Sequence, residues 1–144
     1  MTRFWLTVLA CMACASGARA DDPVLRRGGE WQVTTAAQGA LHPPSLKRCF
    51  GPGRLSDFAA KLATGHCAQS HVQRDGDVVV VDMTCPVGPG QASIHDVITL
   101  SGDTAYHSEM HMTYTPPVHG LSEMTLSQDG KWLGACAAGE APLR

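Results

Sequence analysis

The sequence predicts a mainly β chain: a single antiparallel meander sheet of about seven strands, curved into a half barrel or a small sandwich, with one short helix. Three observations carry that expectation. Apolar residues alternate over short stretches, as they do in half-buried strands. Gly, Pro and Asp-Gly turn signals recur between those stretches. Only one segment has the capping residue and spacing of a helix.

Glu30 to Ala37 reads as the first strand, with Trp31 and Val33 on one face. Leu41-His42-Pro43-Pro44 breaks it, and Gly51-Pro52-Gly53 punctuates the chain again. Ser56 then caps a short helix carrying Phe58, Ala59 and Leu62, which ends by Gly65. From Ala68 the chain enters a hairpin turning at Asp75-Gly76, a dipeptide suited to left-handed turn conformations. Its second arm, Asp77 to Cys85, includes Val78-Val79-Val80-Val81, apolar on both faces and so expected to be central or covered on both sides. Pro86, Gly88, Pro89 and Gly90 form a loop. Strands follow at about Gln91 to Leu100, Thr104 to Thr115, Leu121 to Ser127 and Lys131 to Cys136. The breaks between them are Ser101-Gly102-Asp103, Pro116-Pro117 and Asp129-Gly130.

Residues 1–20 have the three parts of a secretory leader: Arg3 at the start, an apolar run from Phe4 to Ala15, and a small-residue cleavage site at Ala18-Arg19-Ala20. The run is shorter than the roughly 20 apolar residues of a membrane anchor. Removal of the leader would leave residues 21–144 as a single disulfide-stabilised β domain, in the periplasm and without a transmembrane anchor. Losing Arg3 and Arg19 lowers the basic count from 11 to 9 against 13 acidic residues, a net charge of −4 with histidine neutral. With Arg26-Arg27 and Lys47-Arg48 as the adjacent basic pairs, such a chain is not expected to bind nucleic acid.

Four cysteines remain beyond the leader: Cys49, Cys67, Cys85 and Cys136. They permit three pairings. With Arg74 opposite Asp77, the hairpin places Cys67 within one residue of Cys85, which leaves Cys49 for Cys136. No Cys-x-x-Cys survives processing, so structural bridges are favoured over a thiol redox pair or a thiolate metal site.

A family resemblance emerges from Gly28-Gly29-Glu30-Trp31-Gln32-Val33-Thr34-Thr35 and from Lys47-Arg48-Cys49-Phe50 before the helix. It continues through Gly65-His66-Cys67, Asp82-Met83-Thr84-Cys85, Glu109-Met110-His111-Met112, Glu123-Met124 and Gly134-Ala135-Cys136. In this order the segments resemble the bacterial domain of unknown function 3617 family, over nearly the whole mature chain. This sequence departs from the usual pattern at Glu30, where members more often carry an apolar residue, and in having more histidines and fewer methionines in its later strands. The resemblance implies export in a Gram-negative bacterium and a small antiparallel sheet. It implies no activity and no catalytic residues.

The sharpest local chemistry is His107-Ser108-Glu109-Met110-His111-Met112, because alternate strand residues share a face. Pairing Leu100 with Thr104 puts His95 on the face of His107, Glu109 and His111. The opposite face then holds Ile94, Ile98, Leu100, Tyr106 and Met110, with Asp96 out of place among them. Three imidazoles and a carboxylate are competent zinc or copper ligands. The same residue types are also ordinary on the wet face of a half-buried sheet, and the methionines alternate as core residues do.

No nucleophile elbow, phosphate loop or metalloprotease helix is present in the sequence. The expectation is a non-catalytic structural or interaction module, with a protein or a small apolar ligand as its partner. A carrier of a small apolar ligand, with Trp31, Phe58 and Tyr106 near its concave surface, and a zinc- or copper-binding protein are the alternatives. An exposed Trp31 would favour binding, whereas complete burial would give it a structural role.

Overall fold

The computed structural model describes residues 23–38, 41–57, 67 and 69–143. The leader expected over residues 1–20 lies outside these, as do Phe58, Ala59 and Leu62. Nine strands are described: β1 (Val24–Arg26), β2 (Gly29–Ala37), β3 (Ser45–Phe50), β4 (Gly53–Arg54), β5 (Gln69–Asp75), β6 (Val78–Val87), β7 (Gly90–Ser101), β8 (Ala105–Val118) and β9 (Leu121–Gly134). Seven of them form one antiparallel sheet in the order β3-β2-β9-β8-β7-β6-β5. The sheet does not close into a barrel, and β3 and β5 are its edges. β1 and β4 make a separate two-stranded ribbon, and a helix opens at residues 55–57.

The mainly β fold, the strand number and the helix agree with the sequence. The connectivity is richer than a meander. β5 to β9 do follow one another across the sheet, but the β2–β3 hairpin attaches at β9, so the first long strand pairs with the last.

Reaching seven strands from the sequence involved two opposite departures. β3 was missed, since Ser45–Phe50 is mostly exposed and lacks alternation at this edge. Leu121 to Ser127 and Lys131 to Cys136 are one strand, running straight through Asp129-Gly130. Gly130 is there for packing. It pairs with Tyr106 across β8 and β9, and a Cβ at this position would collide with the Tyr106 ring. Pro116-Pro117 likewise lies within β8, where the pairing with β9 is irregular and so tolerates prolines that cannot donate a ladder hydrogen bond. The turn from β8 to β9 comes later, at His119-Gly120, whose φ values of 50° and 79° suit a two-residue type I′ hairpin.

One face of the sheet is the core. Trp31, Val79 and Val81 have no exposed surface, and Ala92, Leu100 and Met112 are buried with them. Leu25 from the ribbon and Leu55 from the helix start pack against Val79, Val81 and Leu100, which is how the small elements come to cover this face. Each such side chain taken fully from water stabilises the fold by about 1.5–3 kcal/mol. The valine run divides by parity: Val79 and Val81 enter the core, while Val78 and Val80 lie half-buried on the other face. β6 is next to the edge strand β5, so full burial of both faces was not required.

The structure joins Cys49 to Cys136 and Cys67 to Cys85. The first ties edge strand β3 to the chain just past β9, across 87 residues of sequence. Both pairs follow the sequence reasoning, although the hairpin is aligned differently: Asp75 faces Val78, so the turn is Gly76-Asp77 and Arg74 stands opposite Val79.

Candidate functional site: a histidine and carboxylate face

The second face of the sheet is polar, and the residues singled out in β7 and β8 all lie on it. Here too the alignment differs from expectation by two residues. Leu100 faces Tyr106, not Thr104, so His95 stands directly opposite His111. A shift of two keeps every side chain on its expected face, because the strand repeat is two. His107 faces Thr99 and Glu109 faces Val97 on β7.

Two rows of polar residues cross the sheet. The first runs from His71 on β5 through Asp82, His95 and His111 to Thr125 on β9. The second runs from Thr99 on β7 through His107 and Asp129 to Thr34 on β2. Val80, Val97 and Glu109 lie between them. His107 and His111 are four residues apart on one strand, a separation of about 13 Å at roughly 3.3 Å per residue. His95, His107, Glu109 and His111 therefore share a face without meeting at one point. Among the described residues no group of three or more His, Cys, Asp or Glu side chains is gathered to hold a metal ion.

Each imidazole instead has its own oxygen partner. His95 Nδ1 lies 2.6 Å from Asp82 Oδ1, and His107 Nδ1 lies 2.7 Å from Asp129 Oδ1. His107 Nε2 is also 3.6 Å from Glu109 Oε1. His111 Nδ1 is 3.3 Å from Thr125 Oγ1, with Glu123 Oε2 4.0 Å from its Nε2. The hydrogen bond to Asp129, aided by the charge of Glu109, raises the His107 pKa above the ordinary histidine range. Sequence reasoning identified the imidazoles but not Asp82, Asp129 or Glu123. Asp129 was hidden by its reading as a turn. Asp82 was recoverable from Gly88-Pro89, because a two-residue turn there sets it opposite His95.

Two open grooves lie on this polar face. One, of about 340 Å³, is lined by residues including His71, Asp82, His95 and His111, with Met83 and Ile94 among them. The other, of about 700 Å³, is lined by residues including Gln32, Thr34, His107, Asp129 and Lys131.

The residues expected to line an apolar site have other roles. Trp31 is fully buried and donates its indole N–H to the Arg27 carbonyl at 2.8 Å, which makes it structural by the criterion set above. Tyr106 packs on Trp31 with ring centroids 6.0 Å apart, and its hydroxyl donates to Gln128 Oε1 at 2.7 Å. Phe58 is outside the described residues.

Asp96, out of place in the sequence, is buried on the core face. Its Oδ1 accepts the Ser108 hydroxyl at 2.6 Å from the neighbouring strand. Burial raises its pKa, and the Ser108 bond partly opposes that shift.

No described helix is long and apolar enough to cross a membrane. A family model described as "Protein of unknown function (DUF3617)" matches residues 26–136. No curated protein and no solved structure matches the chain.

Proposed function

From the premise that this chain belongs to the DUF3617 family, we propose that it is an exported, periplasmic, non-catalytic module that presents the polar face of its sheet to a protein partner. The observation that carries this reading is the asymmetry of the sheet. One face is covered by the ribbon and the start of the helix, whereas the side chains of His95, His107 and His111 on the other are each about half exposed and lie beside two grooves. Such a face offers paired donors and acceptors beside half-buried valines, a mixed composition suited to specific but reversible contact. Export is supported by two cysteine pairs at disulfide distance, which persist in an oxidising compartment, and by the leader-like residues 1–20.

The test is native mass spectrometry of the chain recovered from the periplasmic fraction of cells that express it, then the same after denaturation. The reading requires residues 1–20 to be missing and each cysteine pair to have lost two hydrogens. It also requires a partner protein whose mass is lost when Glu109 and Asp129 are both changed to Lys. A chain retained in the cytoplasm would defeat the export half. A lipid-sized adduct on an otherwise free chain would replace the partner with a carried ligand.

A further inference from the structure

We infer that the outer edge of β3 docks an extended, acidic segment of a partner protein, which adds to the sheet as a further strand beside Ser45 and Lys47. The site lies on the rim of the sheet, goes beyond the reading of the polar face and does not depend on it.

The first observation is that this edge already takes an extended chain. Leu143 runs parallel to Phe50, donates its N–H to the Cys49 carbonyl at 2.9 Å, and accepts the Gly51 N–H at 3.1 Å. Past β9 the chain has thus crossed to the outside of β3 and bonds there as one link of an added strand. Among the described residues the other edge strand, β5, has no chain beside it.

The second observation is what stays open. In an antiparallel pair, alternate residues exchange both backbone bonds with the partner, and the residues between them point theirs away. Cys49 O and Gly51 N point outward, whereas Pro44 O points inward and accepts Thr35 N at 3.2 Å. By that alternation the N–H and carbonyl of Ser45 and Lys47, with the Cys49 N–H, also face outward. Among the described residues none of these groups has a backbone partner. Extended peptides add to such an edge by main-chain hydrogen bonds, and side-chain contacts make the choice between them.

The third observation is charge. Lys47 pairs with Gln32, and Gln32 with Lys131, so two lysines stand in one row on the polar face. Arg48 is opposite Trp31, on the side of the core face, beside Leu46, which is 56% exposed. Lys47, Arg48 and Lys131 are exposed, and among the described residues none forms an ion pair. β2 and β3 carry one carboxylate between them, Glu30. A strand that alternates acidic and aliphatic residues matches both sides of this edge, its carboxylates meeting Lys47 and its aliphatic groups covering Leu46. A second copy of the chain does not match. Two β3 edges laid together would set Lys47 and Arg48 against their own kind, and like charges facing across strands are destabilising.

The probe is a synthetic peptide of alternating valine and glutamate, titrated into the isotope-labelled chain and followed by nuclear magnetic resonance. Saturable shifts are expected at the Ser45, Lys47 and Cys49 amides. Their hydrogen exchange should slow at least tenfold, and that of Leu46 and Arg48 far less, because those amides face β2. Lys47→Gln removes only the cation and should weaken binding several-fold. Lys47→Pro also removes an outward N–H while sparing the bonds to β2, and should weaken it at least tenfold. An unchanged amide spectrum over the rest of the sheet checks that each variant folds, and the exchange pattern of the unsubstituted chain tests the edge without any variant. A peptide of alternating valine and lysine should not bind. Absence of saturable binding would overturn the site, as would equal binding of the lysine peptide or shifts without slowed exchange at the three amides. Protection of the same amides in a peptide-free dimer would also overturn it, by making a second copy the occupant.

Discussion

The two faces of the sheet treat the same chemical group in opposite ways. On the core face, Asp96 is buried against one hydroxyl, and lost hydration makes its ionised form costly. On the polar face, Asp129 is exposed and holds an imidazole, and the consequence appears on the histidine, whose protonated form is favoured. A carboxylate thus acts as a cost in one setting and as a counter-charge in the other. Burial, not residue type, decides which. The contrast also separates stability from recognition: substitutions on the core face should change folding, and those on the polar face should leave it nearly untouched.

The largest effect should come from the wholly buried indole. Trp31→Ala should lower the unfolding free energy by about 3–5 kcal/mol, read by denaturant titration. A loss under 1 kcal/mol would show that the core does not rest on it.

Next is the position where a side chain is forbidden. Gly130→Ala puts a Cβ against the Tyr106 ring, which cannot retreat easily because it packs on Trp31 and bonds Gln128. A cost of about 1–3 kcal/mol is expected, largely relieved in the double variant with Tyr106→Ala, since the two share one space.

Asp96 sharpens the comparison through pH. Its folded pKa lies above the unfolded value near 3.8, so the native state holds the proton longer than the unfolded chain. Its contribution is present in full below that value and is lost as pH rises through the folded pKa. Asp96→Asn should remove this slope and leave the protein more stable at neutral pH than the parent chain. An unchanged pH profile would mean that water or another group satisfies the carboxylate.

The smallest effect belongs to the exposed pair. His107 should titrate above the ordinary histidine range by nuclear magnetic resonance, and Asp129→Asn should bring it down. The stability it contributes is present below the unfolded pKa and fades as pH rises through the folded one, with a size that screening at this surface keeps small. A ring that titrates alike in both proteins would dissolve the pairing.

Much of the fold was legible because a strand repeats every two residues. Both hairpins were aligned two residues away from the structure, yet His95, His107, Glu109 and His111 still shared a face, and Asp96 still fell among apolar neighbours. Parity survives even shifts, so faces could be read where exact partners could not. The cysteine pairing was likewise within reach, because the hairpin brought Cys67 near Cys85 in either alignment. Three things were not legible. Edge strand β3 has too little buried surface to impose alternation on its sequence. Asp129-Gly130 looks like a turn because the same small residue serves a turn and a close aromatic contact, and only the Tyr106 ring distinguishes them. Attachment of β2 to β9 is a long-range choice for which local patterning has no signal.

That last pairing has a consequence in time. A ribosome releases Trp31 long before Trp132, its partner across β2 and β9. Hairpins such as β5–β6 and β7–β8 close short loops and can form early, but β2 lacks its place in the sheet beside β9 until nearly the last strand emerges. The β2–β9 pairing therefore waits for the end of the chain, and truncation before Trp132 should leave Trp31 without its partner across the sheet.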